Sequence, residues 1–380
     1  MPQLGYDRLL ARHVSRDGKA PALVSKQETT SFEMLSERVA ARAAVIRGFD
    51  PAGKTLAVAI CDVGESLVCL LAGMAVGRRV LLVDPATPEE RLLRYLDQGG
   101  VSLVVSDRNL PIAPDRGGVR VVNVADLAGP SPTDAATPPG RPLRASDPAV
   151  LLPDGEYLAV HSQSSLLAMG VGFMSFIPEL RELGLAAPPP LWHWESLNAV
   201  LSALSGARPI FDGGLGDFTA EQMATAYVVL LHEDAEALIK DPRGAGALSA
   251  APYVFVSTGP FTTRWRRALE DIYGGPVLTL WGVPKAGPLV ASHPTWSPLA
   301  AHGLPLVNVR LVPMDPATGA ASVVPWEMLE RAEIAVESPA TMVGTLPAEH
   351  AAEVLSGNMV RTGTIASMDH VGVVTIYNTN

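Results

Sequence analysis

Apolar and polar positions fall into short blocks along this chain, and their spacing separates strands from helices. Phe32, Leu35, Val39, Ala43 and Ile46 recur three and four residues apart, the mark of an amphipathic helix. Thr30 and Glu33 stand where a capping box would open it. Apolar runs at 56–60, 79–83 and 101–105 predict buried strands, with a helix over 65–76 between the first two. Thr87-Pro88-Glu89-Glu90 carries an N-cap, a proline at the first helical position and a glutamate three on, so a helix is expected to start there. Shorter signals ahead of these predict a helix over 6–14 and a strand at 22–25.

Strand and helix alternating at this spacing imply a parallel sheet with helices on both faces. The middle of the chain continues the pattern. Ala149 to Leu152 make an apolar run, Pro153-Asp154-Gly155 signals a turn, and 157–160 reads as a return strand leading to a helix from about Ser162. A helix near 164–183 and strands at 210–211, 226–231, 253–256 and 276–281 outline a second sheet. From about Leu304 the pattern changes to short β segments, at 306–312, 333–337 and 371–377, which suits a small antiparallel barrel or sheet.

Composition narrows the partners. With 48% hydrophobic and 18% charged residues over 380 positions, the chain can bury a sizeable core in two or three units. A net charge of -10 argues against nucleic acid or an anionic membrane surface as the main partner. No basic-then-apolar leader and no apolar run approaching a membrane span occurs. Cys61 and Cys69 are the only cysteines and both sit among apolar residues, so they read as buried small hydrophobes in a reduced, cytoplasmic compartment. The stretch 128–148, rich in Pro, Ala and Gly, reads as an exposed connection, and no internal repeat is evident.

Several stretches carry a more specific signal. DPAVLL and VHSQSSLLA flank the turn at Pro153; Pro190-Leu191-Trp192-His193-Trp194, LTLWG at 278–282, Arg361-Thr362-Gly363-Thr364 and DHVGVVTIYN follow in that order. In sequence and order these resemble the acyl-adenylating superfamily of acyl-CoA synthetases, peptide-synthetase adenylation domains and luciferase. The resemblance spans nearly all of the chain but only that family's large N-terminal core. It implies two parallel-sheet α/β subdomains, over 1–150 and 151–300, followed by a C-terminal antiparallel β subdomain over 301–380. The family's mobile lid, with its catalytic lysine, has no counterpart before Asn380, and its absence is expected to be natural.

At four places the sequence departs from that family. Pro153-Asp154-Gly155-Glu156-Tyr157 stands where the family has a Ser/Thr/Gly-rich phosphate loop ending in a lysine and glycine. Such loops aim backbone N–H groups and a lysine at anionic oxygens, whereas Asp154 and Glu156 repel them. Pro284-Lys285 replaces a Thr-Glu pair that holds phosphate and magnesium, reversing a charge. Thr364 replaces the aspartate that binds ribose, and the lid lysine is missing. Together these imply an adenylating scaffold without ATP chemistry, with no cofactor and no metal. His232, Glu233 and Asp234 are adjacent and do not converge as ligands, and no Cys/His metal spacing occurs.

The acyl pocket is the part left. By resemblance Trp192, Trp194 and Trp281 face it, with Gly282, Ser257 and Gly259 beside it; the tryptophans read equally well as core. His193 is a candidate acid/base or anchor, with Glu195 placed to orient it, or else a structural histidine. His161 and Lys285 are further catalytic candidates; the blander readings are a structural histidine and a salt bridge from Lys285 to Asp154 or Glu156. Ser257 is a weak nucleophile candidate, since no strand-turn-helix elbow surrounds it. The expectation is an ATP-independent enzyme of secondary metabolism. It would cyclise, condense or rearrange a polyketide-like or acyl-thioester substrate. The alternative is a non-catalytic pseudoenzyme binding a carrier protein or partner enzyme.

Overall fold

Three sheets organise the computed structural model, which describes residues 5–50, 53–112, 118–128, 143–257, 263–296, 301–315, 318–356 and 359–378. The first has seven strands, in the order Gly344–Leu346, Tyr157–Ser162, Pro148–Asp154, Arg79–Leu82, Thr55–Ala59, Leu103–Ser106 and Arg120–Asn123. The last five are mutually parallel, as the strand-helix alternation predicts. The other two add antiparallel pairs at the edge. Thr55–Ala59 is buried along its whole length because sheet neighbours flank it and apolar layers cover both faces.

The nine-stranded second sheet runs Leu304–Pro305, Gly287–Ala291, Val277–Val283, Val254–Ser257, Ala226–Leu230, Gly184–Ala186, Ile210–Phe211, Pro21–Val24 and Thr29–Ser31. Its interior is parallel. The opening strands near residue 21 therefore belong to this sheet, while Gly344–Leu346, from far along the chain, closes the first. Unit boundaries at 150 and 300 do not coincide with the sheets. One apolar cluster runs from Leu56, Val58 and Leu82 of the first sheet through Leu166, Phe173 and Leu201 to Tyr227, Phe255 and Leu280 of the second.

The third sheet is antiparallel: Arg310–Met314, Ala332–Glu337, Met359–Met368 and Leu355–Ser356 in order, with Val374–Asn378 against Met359–Met368. The sequence pattern did not predict its longest strand, Met359–Met368. Its inward positions are Val360, Thr362, Thr364 and Ala366, so two threonines interrupt the apolar alternation.

Helix ends differ in detail from expectation. Helix Phe32–Phe49 is capped by Ser31, whose hydroxyl accepts from the Met34 N–H, so Thr30 lies one residue too early. Helix Glu89–Gly99 has Pro88 at its cap position with no side-chain cap bond, again one residue past the expected Thr87. The helix expected to reach 183 ends at Phe176; Pro178 lacks the N–H to continue it, and a 3-10 turn Pro178–Glu182 follows. Both cysteines are free, and Cys69 is buried as expected, Cys61 only partly. No helix among the described residues is long and apolar enough to cross a membrane. Most of the Pro/Ala/Gly-rich connection lies outside the described residues.

Candidate active site

The predicted turn at Gly155 is a tight hairpin. Asp154 pairs with Tyr157 across a two-residue loop whose first residue, Gly155, has φ of 65°, a conformation that favours glycine. Helix Glu89–Gly99 braces the loop: the Tyr95 hydroxyl donates to the Gly155 carbonyl at 2.8 Å and the Gln98 amide to that of Glu156 at 2.8 Å. Arg94 of the same helix pairs with the Glu156 carboxylate.

Asp154 turns the other way. It accepts from the Tyr157 hydroxyl at 2.8 Å, and Lys285 Nζ lies 3.4 Å from the same carboxylate oxygen. Lys285 also donates to the Tyr157 oxygen at 3.0 Å. Burial, and next the Asp154 charge, push the Tyr157 phenol far up, so it keeps its proton. The salt bridge expected for Lys285 is thus formed, to Asp154. His161 helps fix the facing segment. It is fully buried, with Nε2 2.8 Å from the Pro284 carbonyl oxygen. A carbonyl only accepts, so Nε2 carries the proton; burial lowers the ring's pKa to about 4 and keeps it neutral.

These pieces form one side of a cavity of about 630 Å³. Trp194 and Glu195, at the start of helix Trp194–Ser205, line it with Ser257 at the end of strand Val254–Ser257. Trp281 and Gly282 come from strand Val277–Val283, and a Cβ on Gly282 would stand 2.1 Å from the Gly287 carbonyl oxygen. Thr362 and Thr364 enter from strand Met359–Met368 of the third sheet, and His350 and Glu353 from the short segments Ala348–His350 and Ala351–Val354. The His350 ring stacks on Tyr157 at 5.7 Å between centroids.

Of the candidates read from sequence, Trp194, Trp281, Ser257, Gly282 and Lys285 converge on this cavity, and Gly259 lies outside the described residues. His161, His193 and Trp192 do not line it. His161 is a buried tie between two segments. His193 occupies the N-cap position of helix Trp194–Ser205, with its ring against Trp192. Burial lowers its pKa against the opposing charges of Glu233, Asp84 and Asp234. Glu195 does not orient it, because the helix carries the carboxylate round into the cavity. The stretch His232-Glu233-Asp234 forms no metal-binding group, and none exists elsewhere among the described residues.

His350 and Glu353 were not expected at the site; Glu195 was expected only as a group to orient His193, and Tyr157 only as part of the turn segment. Glu195 is the first-turn acid of a helix whose other residues are almost all apolar or small. Its carboxylate Oε1 accepts from the Ser257 hydroxyl at 2.5 Å. Burial raises the Glu195 pKa from 4.5 to about 7, and the Ser257 bond only partly offsets it. A raised carboxyl pKa means the fold prefers the neutral acid: the stability this gives is full below pH 4.5 and lost as pH rises through 7. Glu195→Gln keeps an acceptor for Ser257 and carries no charge. Thermal melts are expected to place the variant above the native protein at about pH 8, by on the order of 2 kcal/mol, and level with it near pH 5. A variant less stable at both would contradict the assignment.

No protein-family profile and no curated protein sequence matches the chain. Solved structures do. The unliganded o-succinylbenzoate CoA synthetase MenE of Bacillus subtilis superposes with a TM-score of 0.81 at 15% identity, over 97% of this chain and 78% of that one. ATP-bound MatB from Rhodopseudomonas palustris gives 0.79 at 18% identity, over 99% and 79%. The Klebsiella oxytoca NpsA N-terminal subdomain, in complex with 3-hydroxybenzoyl-AMSN, gives 0.79 at 17%, over 99% and 100%. The fold is that of the acyl-adenylating enzymes' large domain. At this identity the likeness is one of fold. Within the adenylating fold, the hairpin, the Pro284-Lys285 turn and Thr364, which the sequence resemblance aligned with separate nucleotide-binding motifs, border a single cavity.

Proposed function

We propose that this protein is an ATP-independent enzyme that acts on an acyl or acyl-thioester compound in the cleft, and that it does not form acyl-adenylates. The observation that carries this reading is the Asp154–Tyr157–Lys285 cluster. Where a phosphate cradle would be needed, the hairpin presents a carboxylate, and Lys285, the one lysine facing it among the described residues, is already paired. Lys285 cannot serve a triphosphate without abandoning Asp154, and Asp154 would then repel the incoming charge. Thr364 offers a hydroxyl where the resemblance implies a ribose-binding carboxylate, and its N–H is held by Thr362 Oγ1 at 3.1 Å.

The rest of the cleft supports chemistry over mere binding. It is open, at about 630 Å³, and bordered by two indole rings with Glu195, Ser257 and His350. A pseudoenzyme that only docks a partner would have no need to keep this space. Cyclisation, condensation or another rearrangement of an acyl thioester, as in secondary metabolism, needs a held substrate and proton transfer but no nucleotide. Calorimetry with millimolar ATP·Mg tests the reading. No saturable heat is expected. Binding with a dissociation constant below about 1 mM, worth more than ~4 kcal/mol, would overturn it.

A further inference from the structure

We infer that Ser257 and Glu195 form a nucleophile–base pair that takes an acyl group from an activated ester or thioester. This rests on the ATP-independent reading of the cleft and gives it a reaction. The hydroxyl and the carboxylate meet at 2.5 Å, both are almost fully buried, and both border the cavity. Ser257 is the only side-chain partner of the Glu195 carboxyl among the described residues, so the carboxyl is not locked in an ion pair. Ser257 stands at the end of strand Val254–Ser257 and faces the first turn of helix Trp194–Ser205.

The step balances without a co-reactant. Ser257 Oγ bonds to the acyl carbon while its proton passes to ionised Glu195. The carbon–sulfur or carbon–oxygen bond of the substrate then breaks, and the leaving thiolate or alkoxide takes the proton from Glu195. The resulting acyl-serine is released by water or another nucleophile, whose proton Glu195 accepts and returns to Ser257. Trp194 and Trp281 offer apolar surface at the same cavity for the acyl chain. A base is most useful when its pKa lies near the working pH, and burial brings Glu195 to about 7. Glu233 raises it further, and Asp154, Lys285, His350 and Glu353 are the other ionisable groups that line the cavity.

Two probes test the pair: a fluorophosphonate ester and a butyryl thioester of N-acetylcysteamine. Peptide mass mapping is expected to find the phosphonate adduct, and an acyl adduct in thioester-quenched samples, on Ser257 and on no residue of Ser257→Ala. The labelling rate should rise with pH through about 7 as Glu195 ionises. Glu195→Gln should cut it about 10²-fold or more and remove that rise. Circular dichroism melts establish that both variants are folded. Absence of an adduct, equal labelling of Ser257→Ala, or an unchanged pH profile in folded Glu195→Gln would each overturn the pair. None of these outcomes bears on nucleotide binding, so the calorimetric test of the ATP-independent reading stands or falls separately.

Discussion

Trp281→Ala is expected to destabilise the protein by about 3–5 kcal/mol, the range for truncating a large ring in a packed core. Trp281 is 2% exposed in strand Val277–Val283. It packs in one cluster with Leu289 and Val290 of the second sheet and Ile334, Val336 and Ile376 of the third. The ring therefore joins two sheets, and its loss opens a void that neighbours anchored in separate strands cannot fill. Urea unfolding should show a lower midpoint, and Trp281→Phe should recover a large part of the loss. Because the same ring borders the cleft, any drop in ligand binding by Trp281→Ala mixes two effects, which the phenylalanine variant separates. A loss below about 1 kcal/mol would mean that the two sheets do not depend on this contact.

The second large effect is expected at Lys285. Lys285→Ala strands the Asp154 carboxylate beside the Tyr157 ring and removes a donor to the phenol oxygen. Breaking a buried pair by removing one partner costs about 3–5 kcal/mol. The Asp154 side chain keeps 21% of its exposure, so water recovers part of the charge's solvation, and about 2–3 kcal/mol is expected. Lys285→Met combined with Asp154→Asn should be milder than the sum of the single changes. A coupling energy near zero in that double-mutant cycle would show the pair to be solvent-screened and would weaken the argument that Lys285 is committed.

Much of the architecture was legible in local pattern. Strands at Thr55–Ala59, Arg79–Leu82 and Ala226–Leu230 are continuous apolar runs because parallel strands are covered on both faces. The hairpin at Gly155 was legible from its turn residues, and the Lys285 ion pair was one of the readings open to a lysine in a chain with carboxylates at Asp154 and Glu156. Cap positions slipped by one residue at Ser31 and Pro88, since side-chain type alone does not say which residue first takes helical dihedrals.

The candidate site was legible only in part, and the reason is geometric. Trp192, His193, Trp194 and Glu195 are consecutive, and sequence offers no way to say which of them faces the cleft. The start of helix Trp194–Ser205 decides it, by giving each residue about 100° of rotation. Trp194 and Glu195 turn inward and His193 is left at the cap. Ser257 and Glu195 are 62 positions apart, and His350 and Tyr157 further still, so no spacing rule links them.

What the sequence by itself determined is therefore the set of elements, the fold, and the turn and charged residues at the hairpin and at Lys285. Each of these is written in short-range hydrophobic period, turn chemistry or motif order. Only the tertiary structure decided that Asp154, Lys285 and Thr364 border one cavity, that His161 and His193 stay outside it, and that a serine hydroxyl meets a buried carboxyl there. Those facts depend on sheets that set Ala159 beside Thr345 and Ser257 beside Leu280, and on burial that moves a pKa. Neither is a property of any local stretch of chain.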